Sequence, residues 1–159
     1  MAISVRYPFS GTFQVTQTST GAFSHTDDLT NDVDPDYWVA AYDFGLHVGI
    51  PILSMAPGIV IDYRQAGEPS HGLGSFVTIL HNPGTSDEFY ATYAHLSANS
   101  VLFQSSDRGV AQVAAGERIG LSGDTGVGTG LGDPGTDGGQ QEYDVLRLIA
   151  PRLITGGGG

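Results

Sequence analysis

Glycine and proline interrupt most of this chain at short intervals, and their spacing is the strongest constraint on its fold. The 159 residues include 24 glycines and 8 prolines, and both residue types are costly inside a helix. The segments between them are rich in Val, Ile, Thr, Tyr and Phe, which favour strands. The sequence therefore predicts an all-β fold of short strands joined by tight turns.

Two stretches show the strand pattern most clearly. Residues 75–80 (SFVTIL) and 88–96 (EFYATYAHL) are separated by the turn-forming segment HNPGTSD, which predicts a β-hairpin. Residues 140–153 (QQEYDVLRLIAPRL) alternate apolar and polar side chains and are predicted to form the last strand. We expect a single domain over residues 1–153, built as a sandwich of two packed antiparallel sheets, and a flexible Gly-rich tail at 154–159.

The charge of the chain excludes one class of partner. Seventeen acidic residues against six arginines give a formal net charge of −11, so a nucleic-acid backbone would be repelled. With no cysteine there is neither a disulfide framework nor a thiolate metal site. No stretch has the length of a membrane span, and the N-terminal MAISVRYPFSG lacks the apolar run of a signal peptide.

Two loop segments suggest ligands of their own. Residues 21–36 contain five aspartates, which raises the possibility of a calcium-dependent surface module, although their spacing is not that of an EF-hand loop. The Gly-rich run at 123–139 lacks the Gly-Lys-Ser/Thr of a phosphate-binding loop. Turn formation explains its glycines sufficiently.

Several separated segments resemble one family when they are taken in order. They are FSH (23–25), AYDFGLHVGIPILSMAPGIV (41–60), GLGSFVTILH (72–81), YAHL (93–96) and AAGERIGLSGDTG (114–126). This order resembles the lysostaphin-type zinc endopeptidases, peptidoglycan hydrolases built on a duplicated hybrid β-motif. The resemblance covers roughly Tyr7 to Pro151 and implies a hybrid barrel-sandwich fold.

The resemblance also implies a site. In that family a His and an Asp from the early segments bind zinc together with the second His of a late His-x-His motif. The first His of that motif and the His of the YAHL-like segment assist the chemistry. By this correspondence His25 and Asp43 match the early metal ligands, and His95 matches the catalytic histidine. We expect them to line one groove with the strand that starts near Gln140.

The late motif departs from the family pattern G-P-H-L-H-F-E-V. One register places Gly132, Asp133 and Pro134 at His-Leu-His. The other allows an insertion and matches Tyr143-Asp144-Val145 to Phe-Glu-Val, which puts Gln140 at the catalytic position and Glu142 at the metal position. We prefer the second register, because loops tolerate insertions better than strands tolerate a changed packing pattern. Neither register restores a histidine.

This departure weakens the expected metal site. A set of His25, Asp43 and Glu142 contains two carboxylates and one imidazole, which neutralise a divalent ion and reduce its power to polarise a carbonyl. Zinc accepts such ligands, manganese and calcium are alternatives, and a metal-free state is a further alternative. Gln140 donates hydrogen bonds but exchanges no proton at neutral pH.

Three functional hypotheses follow. The first is a peptidoglycan-directed domain that kept the hydrolase fold but lost efficient catalysis, and that serves in binding or as a structural component, such as part of a phage virion. The second is an active metal-dependent endopeptidase with an altered ligand set, and the third is the calcium-dependent module. We expect peptidoglycan or its cross-link peptides as partner, contacts with other virion or surface proteins, and an extracellular or virion location. Trp38 and Tyr93 are expected to bind substrate, since aromatic rings stack on sugars.

Overall fold

The computed structural model describes residues 5–17, 41–65, 73–125 and, as backbone, 145–149. Within these ranges the chain forms nine strands and one short 3-10 helix. Their bounds are β1 Gln14–Gln17, β2 Ala41–Gly45, β3 Pro51–Leu53, β4 Gly58–Arg64, β5 Ser75–His81, β6 Phe89–Leu96, the 3-10 helix Ser105–Asp107, β7 Gln112–Val113, β8 Arg118–Leu121 and β9 Val145–Ile149. No helix in these ranges is long and apolar enough to cross a bilayer. The prediction of an all-β fold is confirmed.

The strands form two antiparallel sheets. The larger sheet has the order β1-β2-β9-β6-β5-β4-β7, and the smaller one pairs β3 with β8. The last strand, β9, lies between β2 and β6 and pairs with both of them. This insertion brings together three segments that are far apart in the sequence.

The hairpin predicted from residues 75–96 is confirmed as β5 and β6. Buried and half-buried residues alternate strictly along β5, because successive side chains of a strand point to opposite faces of the sheet. Its partner β6 is buried along nearly its whole length, as expected for a strand in the middle of a seven-stranded sheet.

The core lies between the two sheets. Ile52 of β3 and Ile119 of β8 are fully buried and pack against apolar residues of the large sheet. Those residues are Val60, Val77, Ile79, Phe89, Ala91 and Tyr93. This packing covers one face of the large sheet.

Candidate functional site

Asp43 lies on the face of the large sheet that is turned away from the core. Its neighbour in β2, Phe44, belongs to the core, and adjacent residues of a strand point to opposite faces. Asp43 is nevertheless only 5% exposed. A carboxylate withdrawn from water in this way requires a compensating cation or several hydrogen bonds.

His95 reaches the same face through a β-bulge. Val77 pairs with Tyr93 and Ser75 with Leu96, so two residues of β6, Ala94 and His95, stand opposite one residue of β5. Tyr93 and Leu96 both belong to the core, and the two residues between them therefore lie on the opposite face. His95 has a positive φ of 58°, a conformation that is uncommon outside glycine and that is found preferentially at functional sites.

Two hydrogen bonds hold His95 in place. Its backbone N–H donates to the Leu73 carbonyl over 3.0 Å, and its Nδ1 lies 2.9 Å from the Thr125 carbonyl oxygen. Because a carbonyl oxygen only accepts, Nδ1 carries the proton, and in the neutral ring Nε2 is the accepting nitrogen. This tautomer is the one required of a general base or a metal ligand that acts through Nε2.

Thr125 forms hydrogen bonds with residues at the adjoining ends of β5 and β6. Its hydroxyl donates to the Leu96 carbonyl and accepts the Ser75 N–H over 2.8 Å. Gly74, with φ of +62°, brings its backbone directly against Thr125. The sequence analysis did not single out Thr125, although it lies within the GDTG segment that contributes to the family resemblance.

The third strand of the site, β9, has an arginine in register with Asp43. Asp43 pairs with Arg147 on one side of β9, and Ala94 pairs with Arg147 on the other. The two strands that flank β9 are about 10 Å apart, since neighbouring strands are spaced about 4.8 Å. The structure thus brings Asp43 and His95 to one face on either side of Arg147.

Arg147 was missed in the sequence analysis, which aligned Tyr143-Asp144-Val145 with the end of the late family motif and expected Glu142 at the metal position. The strand that pairs with β2 is Val145–Ile149, and its residue in register with Asp43 is Arg147. The feature of the sequence that marks this position is a single charged residue within the apolar run VLRLI.

Four of the expected site residues lie outside the described ranges and stay predictions. They are His25, Trp38, Gln140 and Glu142. The Asp-rich loop at 21–36, on which the calcium hypothesis depends, also lies outside these ranges, as does the tail at 154–159.

The expectation that Tyr93 binds substrate is wrong. Its side chain has no exposed surface, so its ring offers nothing for a sugar or peptide to stack on. Its hydroxyl accepts the Met55 N–H over 3.0 Å and lies 2.9 Å from Nε2 of His81. Burial raises the pKa of the Tyr93 hydroxyl above its usual range, so this group stays protonated. Tyr93 is therefore a residue of the core.

His81 completes this buried contact. Its Nδ1 donates to the Ala56 carbonyl oxygen at 2.9 Å, which leaves Nε2 to accept the proton of the Tyr93 hydroxyl. Burial lowers the pKa of His81 from 6.5 to about 4, against the opposing effect of the Ala56 and Pro57 carbonyls. These contacts make His81 a structural residue of the core.

This lowered pKa predicts a loss of stability in mild acid. Between pH 6.5 and 4 the unfolded chain binds a proton at His81 that the folded chain does not. The contribution of His81 to the free energy of unfolding is therefore complete above pH 6.5 and declines as the pH falls. We expect about 2 kcal/mol less from this group at pH 5 than at pH 7. Urea denaturation at both pH values measures the difference, which should disappear in His81→Gln.

The exposed His47 provides a matched control for this prediction. The variant His47→Gln should retain the pH dependence of the wild type. An identical pH dependence in His81→Gln and wild type would show that His81 does not titrate in this range.

Comparison with known proteins agrees with this fold. The model of peptidase family M23 matches residues 39–134, and the chain belongs to this family. An "uncharacterized metalloprotease" of Buchnera aphidicola subsp. Baizongia pistaciae is 32% identical over 88 residues, which are 55% of this chain and 20% of that protein. A crystal structure of a zinc-containing peptidase from Vibrio cholerae matches with a TM-score of 0.57 at 24% identity, over 92% of this chain and 37% of that one.

The resemblance to lysostaphin-type zinc metallopeptidases is thereby confirmed, as is the antiparallel all-β fold. The chain spans about a fifth of the length of one relative and about a third of the other. The first of these proteins is described as a metalloprotease and the second as a zinc-containing peptidase.

Two of the three expected metal ligands, His25 and Glu142, lie outside the described ranges. Asp43 and His95 share a face, but no group of three or more His, Cys, Asp or Glu residues in the described ranges is arranged to hold a metal ion. The residue of β9 in register with Asp43 and with Ala94 is Arg147. No catalytic step through zinc is therefore assigned to these residues.

Proposed function

We propose that this domain binds peptidoglycan, or the peptides that cross-link it, and does not cleave them efficiently. Membership of the M23 family supports the choice of ligand. The loss of catalysis is supported by the register of β9, which pairs Asp43 with Arg147 and not with a histidine. We further propose that the domain acts as a binding or structural part of a larger assembly at the cell surface or on a phage particle.

A working metal-dependent endopeptidase with an altered ligand set is the second candidate. The hydrogen bond from His95 to Thr125 favours it, because it keeps Nε2 in the accepting state that a general base requires. This candidate needs metal ligands from the segments that hold His25 and Glu142.

An assay on purified, insoluble peptidoglycan separates the two. Under the binding proposal the protein sediments with peptidoglycan, and a chelator does not change the fraction of protein that sediments. No soluble peptidoglycan fragments are released after addition of zinc or manganese. Release of fragments that stops on addition of chelator would support the enzyme and contradict the proposal. Failure to sediment would contradict it as well.

A variant of His95 gives the matched control for the assay. In a working enzyme, His95→Gln should lower the rate of release by about 10²-fold to 10⁴-fold, because it removes a positioned acid/base group. In the binding domain the same substitution leaves release at background.

A further inference from the structure

The segment 121–125 lies directly against the end of β6. The Ser97 N–H donates to the Leu121 carbonyl oxygen over 2.9 Å. A Cβ on Gly123 would overlap the backbone of Ser97, so a side chain has no room at this contact. The segment is therefore held beside the residues that follow His95.

The hydroxyl of Thr125 joins two strands at the end of this segment. It donates to the Leu96 carbonyl oxygen and accepts the Ser75 N–H over 2.8 Å. Ser75 and Leu96 form the pair at one end of the β-bulge that contains His95. Thr125 is only 3% exposed, so breaking either bond costs more than it would at the surface.

The carbonyl of Thr125 accepts the hydrogen bond from the imidazole of His95. Nδ1 of His95 lies 2.9 Å from that oxygen, and His95 directly precedes Leu96 in β6. Because the hydroxyl fixes Thr125 relative to Leu96, it also fixes the carbonyl of Thr125 relative to the imidazole. A hydrogen bond weakens steeply when its geometry changes. The bond to Nδ1 thus depends on the hydroxyl of Thr125.

We infer that Thr125 is a positioning residue, whose hydroxyl sets the tautomer and the orientation of the His95 imidazole. A neutral imidazole carries its proton on one of its two nitrogens, and the hydrogen bond that one nitrogen makes decides which. The hydroxyl of Thr125 therefore keeps the proton of His95 on Nδ1 and leaves Nε2 as the accepting nitrogen. The inference rests on contacts among described residues, and it holds whether the domain binds or cleaves peptidoglycan.

Nitrogen NMR of the histidine rings in the whole chain tests this role. Thr125→Val removes the hydroxyl and keeps the branched shape of the side chain. At pH 8, where a histidine of ordinary pKa is neutral, we expect the wild-type His95 ring to carry its proton on Nδ1. In Thr125→Val both tautomers should be populated, so the chemical shifts of the two ring nitrogens should move toward one another. The spectrum of His95→Gln identifies the signals of this ring.

The same variant should also be less stable. We expect the melting temperature of Thr125→Val to be about 5 °C lower, because the Ser75 N–H and the Leu96 carbonyl lose their hydrogen bonds to the hydroxyl.

Two control variants separate positioning from stability. Thr125→Ser retains the hydroxyl and should keep the proton of His95 on Nδ1. Thr78→Val removes a threonine hydroxyl from the same sheet, one that is hydrogen-bonded to the Thr92 hydroxyl at 2.9 Å. It should also lower the melting temperature, but it should leave the nitrogen signals of His95 unchanged.

Three outcomes would overturn the inference. One is a His95 ring in Thr125→Val with the nitrogen signals of the wild type. Another is an equal change of these signals in Thr78→Val, which would make the change an effect of lower stability. The third is a wild-type His95 with its proton on Nε2, which would contradict the inference even if Thr125→Val proved insoluble.

Discussion

Replacing Tyr93 with alanine is expected to lower the free energy of unfolding by about 5 kcal/mol. Truncating a large buried aromatic residue costs about 3 to 5 kcal/mol, and Tyr93 is fully buried in the core. The substitution also leaves two buried groups without their partner, the Met55 N–H and Nε2 of His81, each of which adds to the cost. Urea denaturation at pH 7 measures the effect.

The variant Tyr93→Phe separates packing from hydrogen bonding. It keeps the ring and removes only the hydroxyl, so we expect a loss of about 2 kcal/mol. If Tyr93 instead contributed to a ligand site, Tyr93→Phe would weaken binding to peptidoglycan without changing stability. That result would reverse the assignment of Tyr93 to the core.

Gly74→Ala is expected to cost about 4 kcal/mol and to disturb the site directly. Gly74 has φ of +62°, and a Cβ at this position would overlap the backbone carbonyl of Thr125. The left-handed conformation alone costs about 1 to 2 kcal/mol for alanine, and the overlap adds about 1 to 3 kcal/mol. Since Thr125 accepts the hydrogen bond from His95, the variant should also displace the imidazole.

A second glycine in a left-handed conformation provides the control for this prediction. Gly84, in the loop between β5 and β6, has φ of +76°, and no atom of the described residues lies within 4 Å of the place that an added Cβ would take. Gly84→Ala should therefore show only the conformational cost, about 1 to 2 kcal/mol. Equal losses in Gly74→Ala and Gly84→Ala would mean that the contact with Thr125 is not tight.

The strands of the central hairpin were predictable from the sequence because their information is local. Residues 75–80 are rich in the strand formers Phe, Val, Thr and Ile, and HNPGTSD supplies a turn between two strand-forming segments. The face of a residue in β6 was harder to predict, because this strand is buried on both sides and has no polar alternation to distinguish them. For this reason the burial of Tyr93 was missed.

The two elements of the site that were not predicted depend on strand pairing. The bulge at His95 arises because β6 has one more residue than β5 between the pairs that end at Tyr93 and Leu96. The partner of Asp43 depends on where β9 begins after a Gly-rich segment, and one residue of slip changes every partner and every face. The pairing sets Arg147 in register with Asp43, and the prediction for Glu142 lies outside the described ranges.

Anomalous diffraction at the zinc absorption edge, from crystals grown with zinc, tests the proposed loss of catalysis most directly. We predict no anomalous peak at Asp43. A peak about 2.0 to 2.2 Å from a carboxylate oxygen of Asp43, the distance of a zinc ligand, would contradict this proposal.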